Sequence, residues 1–107
     1  MGVIMVSAEH DRFSQIIAPK ELFALSIDEG KFSDIIKQYI HDFVKPEYHR
    51  NLRNFIQSDV IQNQLDENII PMISYCERDG KAIKLSIWPV DKSAGETIWV
   101  FEKEDNK

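Results

Sequence analysis

The chain has 107 residues, 43% of them apolar and 29% charged, with four glycines and four prolines, which is enough for one core and one domain. Its net charge of −5 speaks against nonspecific binding to nucleic acid or anionic membrane, since both need a basic face. The lone Cys76 rules out an internal disulfide and a Cys-rich zinc site, and fits a reducing, cytoplasmic setting. No apolar stretch approaches the roughly 20 residues of a membrane span, and the N-terminal run is too short for a signal peptide.

In chain order, Val3–Ser7 and Phe13–Ile17 are short β-rich runs around "AEHDR", and predict an N-terminal hairpin. Pro19 breaks that pattern, and "KELFALSI" has room for one or two helical turns. From Gly30 onward the period changes. Ile35, Ile36, Tyr39, Ile40, Phe43 and Val44 form an apolar helical stripe, with Ser33 as the expected N-cap and Asp34 beside the positive helix end. Pro46 disfavours helical geometry at Lys45, so this helix ends near Val44. A second helix is expected over "PEYHRNLRNFI", with Tyr48, Leu52, Phe55 and Ile56 inward. A third, short one follows Ser58, with Val60, Ile61 and Leu65 apolar.

Three strands are expected next, Ile69–Glu77, Ala82–Val90 and Thr97–Glu102, joined by "RDGK" and "DKSAGE". A two-residue turn at Asp79-Gly80 sets Cys76 opposite Ile83, Ser74 opposite Leu85 and Met72 opposite Ile87 on the helix-facing side. Ile73, Tyr75 and Trp88 then lie on the outer side, joined by Trp99 and Phe101 if Ile98 and Val100 face the core. A slip of one residue would exchange the two sets.

This order of elements resembles a PAS domain, an α+β fold with a five-stranded antiparallel sheet and short helices packed on one face. "DFVKPEYHRNLRNFI" resembles the segment in which a His-Pro-Glu-Asp-Arg-like stretch opens a helix. "YCERDGKAIKLSIWPV" resembles the stretch running from Tyr-Arg through Asp-Gly and an alternating strand to Pro-Val, and "ETIWVFEKED" sits at the last strand. The likeness covers residues 30–105 well and 3–29 weakly, and is greatest to PAS domains beside diguanylate cyclase (GGDEF) and related bacterial signalling modules. Lys45 stands where a histidine is usual, and Tyr48-His49 where a single aspartate is common.

The resemblance implies a non-catalytic sensory or interaction domain. It would be a fragment of a longer signalling protein, passing its signal through the last strand to an adjacent effector domain. A ligand would lie between the helices and the inner sheet face, lined by some of Ile36, Ile40, Phe43, Leu52, Phe55, Met72, Ser74, Cys76, Leu85 and Ile87. Ile73, Tyr75, Trp88, Trp99 and Phe101 would form an outer face suited to a homodimer or a docking partner. No cofactor is indicated, and neither nucleic acid nor membrane is expected as a partner.

Sharper chemical readings are weak. Cys76 lies on a strand, without the Asn-Cys-Arg-like helical motif that forms a flavin photoadduct in light-sensing PAS domains, and reads as a small buried side chain. His41 and His49 read as surface histidines rather than haem ligands, and with His10 they share no metal-ligand spacing. Arg50 and Arg53, one helical turn apart, could pin a carboxylate, although a solvated face is the default for such a pair. Asp42 and Glu47 bracket the Pro46 corner without sign of acid–base work. No phosphate loop or nucleophile motif is present. A ligand-free docking module remains the second reading. The third is an enzyme on a cone-shaped helix-and-sheet fold such as that of ketosteroid isomerase, and it requires residues 3–17 to be helical.

Overall fold

A computed structural model describes residues 2–17, 29–91 and 96–104. The segment "KELFALSI" and the centre of the last connection, residues 92–95, lie outside the described residues. The strands are β1 (Gly2–Ser7), β2 (Arg12–Ile17), β3 (Glu29–Lys31), β4 (Met72–Cys76), β5 (Ala82–Asp91) and β6 (Glu96–Lys103). The helices are α1 (Phe32–Phe43), α2 (His49–Phe55) and α3 (Ser58–Asp66), with a 3₁₀ turn at Pro46–Tyr48. The protein is thus an α+β fold, an antiparallel sheet carrying short helices. The sheet runs β3-β2-β1-β6-β5-β4, and the short edge strand β3 is added to the five that the sequence pattern predicts. Residues 3–17 pair within it, so the helical start required by the cone-shaped alternative is replaced by strands.

β1 alternates between buried and half-buried residues, with Ile4 and Val6 turned to the core. α1 lays Phe32, Ile35, Ile36, Tyr39 and Ile40 onto the same side of the sheet. Phe32 meets Trp99 edge-on with ring centroids 4.7 Å apart, and Tyr39 meets Phe101 in the same manner at 6.1 Å. Such aromatic pairs add roughly 0.5–1.5 kcal/mol each beyond the area they bury.

The start of α1 is capped from a distance. Asp11, in the β1–β2 turn, has φ 51°, a left-handed conformation that aspartate tolerates better than most residues. Its carboxylate accepts hydrogen bonds from the Ser33 amide at 2.8 Å and the Ser33 hydroxyl at 2.5 Å, while its carbonyl accepts from the Phe32 amide. Ser33 is therefore a donor inside the first turn rather than the expected cap. The bond from the Ser33 hydroxyl holds the Asp11 carboxyl below its usual pKa. α1 stops at Phe43 because Pro46 follows. His49 then closes the corner by donating from Nε2 to the Val44 carbonyl at 2.7 Å.

The β4–β5 connection corrects the expected register. Gly80 has φ +94°, its amide bonds to the Glu77 carbonyl, and the Glu77 amide bonds to the Lys81 carbonyl. This is a three-residue loop, a turn followed by a left-handed glycine, instead of the two-residue turn expected at Asp79-Gly80. The extra residue shifts the pairing by one. Cys76 opposes Ala82, Tyr75 opposes Ile83, Ser74 opposes Lys84, Ile73 opposes Leu85 and Met72 opposes Ser86.

The two faces of β4 are exchanged in consequence, while those of β5 stay as expected. Ile73 and Tyr75 pack inward with Ile83, Leu85 and Ile87, whereas Met72 and Ser74 are exposed on the outer face and Cys76 is half-buried there. The same holds on β6, where Trp99 and Phe101 are buried and Ile98 and Val100 face outward, half-buried. Of the five residues expected on the outer face, only Trp88 is there, 44% exposed.

Candidate functional site

Two features stand out on the helix side. The first is a buried polar chain. Tyr75 donates its hydroxyl to that of Tyr39 at 2.7 Å, and Tyr39 donates to Glu77 Oε2, also at 2.7 Å. Glu77 is 4% exposed and lies 3.6 Å from Lys81 Nζ, which also reaches Asp79 at 3.3 Å. Burial raises the Glu77 pKa, and the hydrogen bond from Tyr39 and the Lys81 charge offset this only in part. Burial likewise pushes both tyrosines upward, so they stay protonated and act as donors.

The chain ties α1 to the end of β4. It is reinforced where Arg78 donates its amide to the Phe43 carbonyl at 2.7 Å and Lys45 donates to the Cys76 carbonyl at 3.0 Å. All of its buried polar atoms have partners among the described residues. With every member paired, the chain aligns α1 against the end of β4.

The second feature is a cleft of about 740 Å³ between α1, the α2–α3 junction and the sheet. Its floor is apolar, made of Val6 from β1, Trp99 from β6, Phe32, Ile36 and Ile40 from α1, and Ile61 from α3. The Trp99 indole N–H is satisfied within its own strand by Thr97 Oγ1 at 2.9 Å, so the ring is fixed from behind. The lining also includes Lys37, His41, Arg53 and Asp11. A volume of this size falls in the usual range for small-molecule sites.

Of the residues expected around a ligand, Ile36 and Ile40 line this cleft. Leu52, Leu85 and Ile87 are instead fully packed core residues, and Phe43 and Phe55 are half-buried against that core. Met72, Ser74 and Cys76 lie on the other side of the sheet, and Cys76 Sγ is 3.8 Å from the Tyr48 hydroxyl. Sequence reasoning missed Val6, Phe32, Ile61 and Trp99. The three-residue reading of "RDG" corrects the faces of β4 alone. The signal for Trp99 was its pairing opposite Ile87, as Phe101 pairs opposite Leu85, which sets both on the inward side that β5 already had. Arg53, singled out as a possible carboxylate clamp, lines the cleft, while Arg50 does not.

Asp42 accepts from His41 at 2.8 Å, which lowers its pKa, and it forms no carboxylate pair with Glu47. Among the described residues no cluster of His, Cys, Asp and Glu is arranged to hold a metal, and no helix is long and apolar enough to cross a membrane. Searches against protein-family models, curated proteins and solved structures found no match.

Proposed function

We propose that this chain is a PAS-type sensory domain, non-catalytic by itself, that binds a small molecule in the helix-side cleft and passes the event to an adjoining effector domain such as a diguanylate cyclase. The observation that carries the reading is Trp99. It forms part of the cleft floor and belongs to β6, the strand between β1 and β5 in the sheet. A ligand seated there touches the last strand directly, and repacking of Trp99 shifts that strand against both neighbours. The order of elements and the helical layer on one sheet face support the resemblance on which the signalling role rests. Fold alone does not fix function.

Native mass spectrometry of protein purified from cells, with an absorption spectrum, tests this. The expected result is one small molecule per chain, lost in a Gln62→Trp variant that plugs the rim from α3. Protein that is always empty, and that takes up nothing from a cell extract, would overturn the reading.

A second reading is favoured by the outer sheet face. Trp88, Ile98 and Met5 form one cross-strand row, and Ser86, Val100 and Val3 form the next. Beside them Lys84 opposes Glu102. A face with both charges next to an apolar strip can complement a second copy of itself across a two-fold axis. Sedimentation should then show a dimer that Trp88→Ala dissociates. A monomer at high concentration would remove this reading and leave the first intact.

A further inference from the structure

We propose that the cleft is selective for an amphipathic organic anion, an apolar body ending in a carboxylate, whose head is held by Lys37 and Arg53. This rests on the cleft being a ligand site and goes on to name the chemical class.

The argument begins with charge. The protein carries −5 overall, yet among the described residues the charged side chains lining the cleft are Lys37 and Arg53 against the one acid Asp11. Both Asp11 carboxylate oxygens accept hydrogen bonds from Ser33, so its lone pairs are turned to α1, and its negative charge still leaves the two cations in excess by one. Among the described residues neither Lys37 nor Arg53 forms an ion pair, and both are exposed. Lys37 lines the cleft from α1, near enough to Asp11 to help lower its pKa. Arg53 supplies the charge from α2, beside the α2–α3 junction.

The remaining lining sets the rest of the ligand. Ser7, Ser33, Gln57, Ser58, Gln62 and Thr97 also line the cleft. The floor of Phe32, Ile36, Ile61 and Trp99, however, offers no hydrogen bond to a polar body except through the Trp99 N–H, and that is used by Thr97. A sugar or nucleotide would lose its hydration without replacement there. An acyl or aryl chain would not. Arginine presents a planar fork that matches a carboxylate in two parallel hydrogen bonds, with lysine adding a point charge. A cationic amphiphile meets the same apolar floor but is repelled at the rim.

The test uses three probes sharing one ten-carbon chain: decanoate, decanol and decyltrimethylammonium. Each is titrated below its aggregation limit and read by Trp99 fluorescence in a Trp88→Phe background, so that the cleft tryptophan is the reporter. Decanoate should bind about tenfold more tightly than decanol, with decyltrimethylammonium weakest. In the double variant Lys37→Gln, Arg53→Gln that preference should fall to the decanol level with the circular dichroism unchanged, since both side chains are exposed. Equal binding of decanoate and decanol would overturn the anion preference while leaving a cleft that binds apolar molecules. Preference for the cation, or binding of none of the three, would also overturn the inference. The sensory reading itself is judged separately, on the molecule that purifies with the protein.

Discussion

The Tyr39 hydroxyl on α1 donates to the Glu77 carboxylate at the end of β4 at 2.7 Å, and neither residue reaches bulk water. One contact therefore joins the helical layer to the turn that sets the register of the sheet. Tyr39→Phe leaves the Tyr75 hydroxyl without its acceptor and Glu77 without its donor. A loss of about 1–3 kcal/mol is expected from urea unfolding.

The same carboxylate gives stability a pH dependence of definite sign. Its pKa in the folded protein is raised above the ordinary 4.5. Folding therefore favours the protonated form, and the contribution is full below pH 4.5 and lost as pH rises through the raised value. Glu77→Gln keeps an acceptor for Tyr39 and does not titrate. Its stability relative to the native chain should rise between pH 4 and pH 7. A flat or falling difference would mean that the Lys81 ion pair outweighs desolvation.

Asp11 has the opposite sign. Its pKa is lowered by its bonds to Ser33, so its contribution is present above the ordinary value of 3.8 and lost as pH falls through the lowered one. Asp11→Ala removes the cap of α1 and places alanine at a left-handed φ, and should cost about 1–2 kcal/mol. Asp11→Asn should cost less, and its deficit should shrink as the solution is acidified from pH 5. Chemical unfolding at several pH values measures both.

Gly80 isolates backbone strain from packing. A Cβ built there meets nothing within 4 Å, so any penalty for Gly80→Ala comes from its φ of +94°. About 1 kcal/mol is expected. Gly80→Asn should be milder, because asparagine tolerates this conformation. Thermal unfolding of the two variants compares them.

The two tryptophans should behave as opposites. Trp99 is 2% exposed, and its truncation to alanine should cost about 3–5 kcal/mol. Trp88 is 44% exposed and should tolerate alanine within about 1 kcal/mol. If Trp99→Ala does not fold, Trp99→Phe still tests the asymmetry through its midpoint in urea.

That asymmetry shows where the sequence was legible. The apolar stripe of α1, the stop at Pro46 and the strand order in the chain follow from local periodicity and turn chemistry, and these gave the α+β fold. The faces of β4 and β6 did not follow, for a physical reason. Both sides of these strands carry apolar residues, and the inward side of β4 ends in a tyrosine and a glutamate. Alternation rules send Glu77 outward. Its burial depends on a donor from Tyr39, thirty-eight positions earlier, and no local window contains that partner. The cleft was half legible for the same reason: its α1 wall is periodic, but its floor depends on which side β6 presents.

The placement of β6 also bears on how the chain folds. β1–β2–β3 form one part of the sheet and β4–β5 the other, and β6 pairs with β1 on one side and β5 on the other, with Gly2 opposite Phe101. The central seam thus closes only when residues from the two ends of the described chain meet. Long-range closure of this kind slows folding. A chain still emerging from the ribosome would hold two hairpins and a helical layer with no strand to join them, open-edged until Lys103 has cleared the exit.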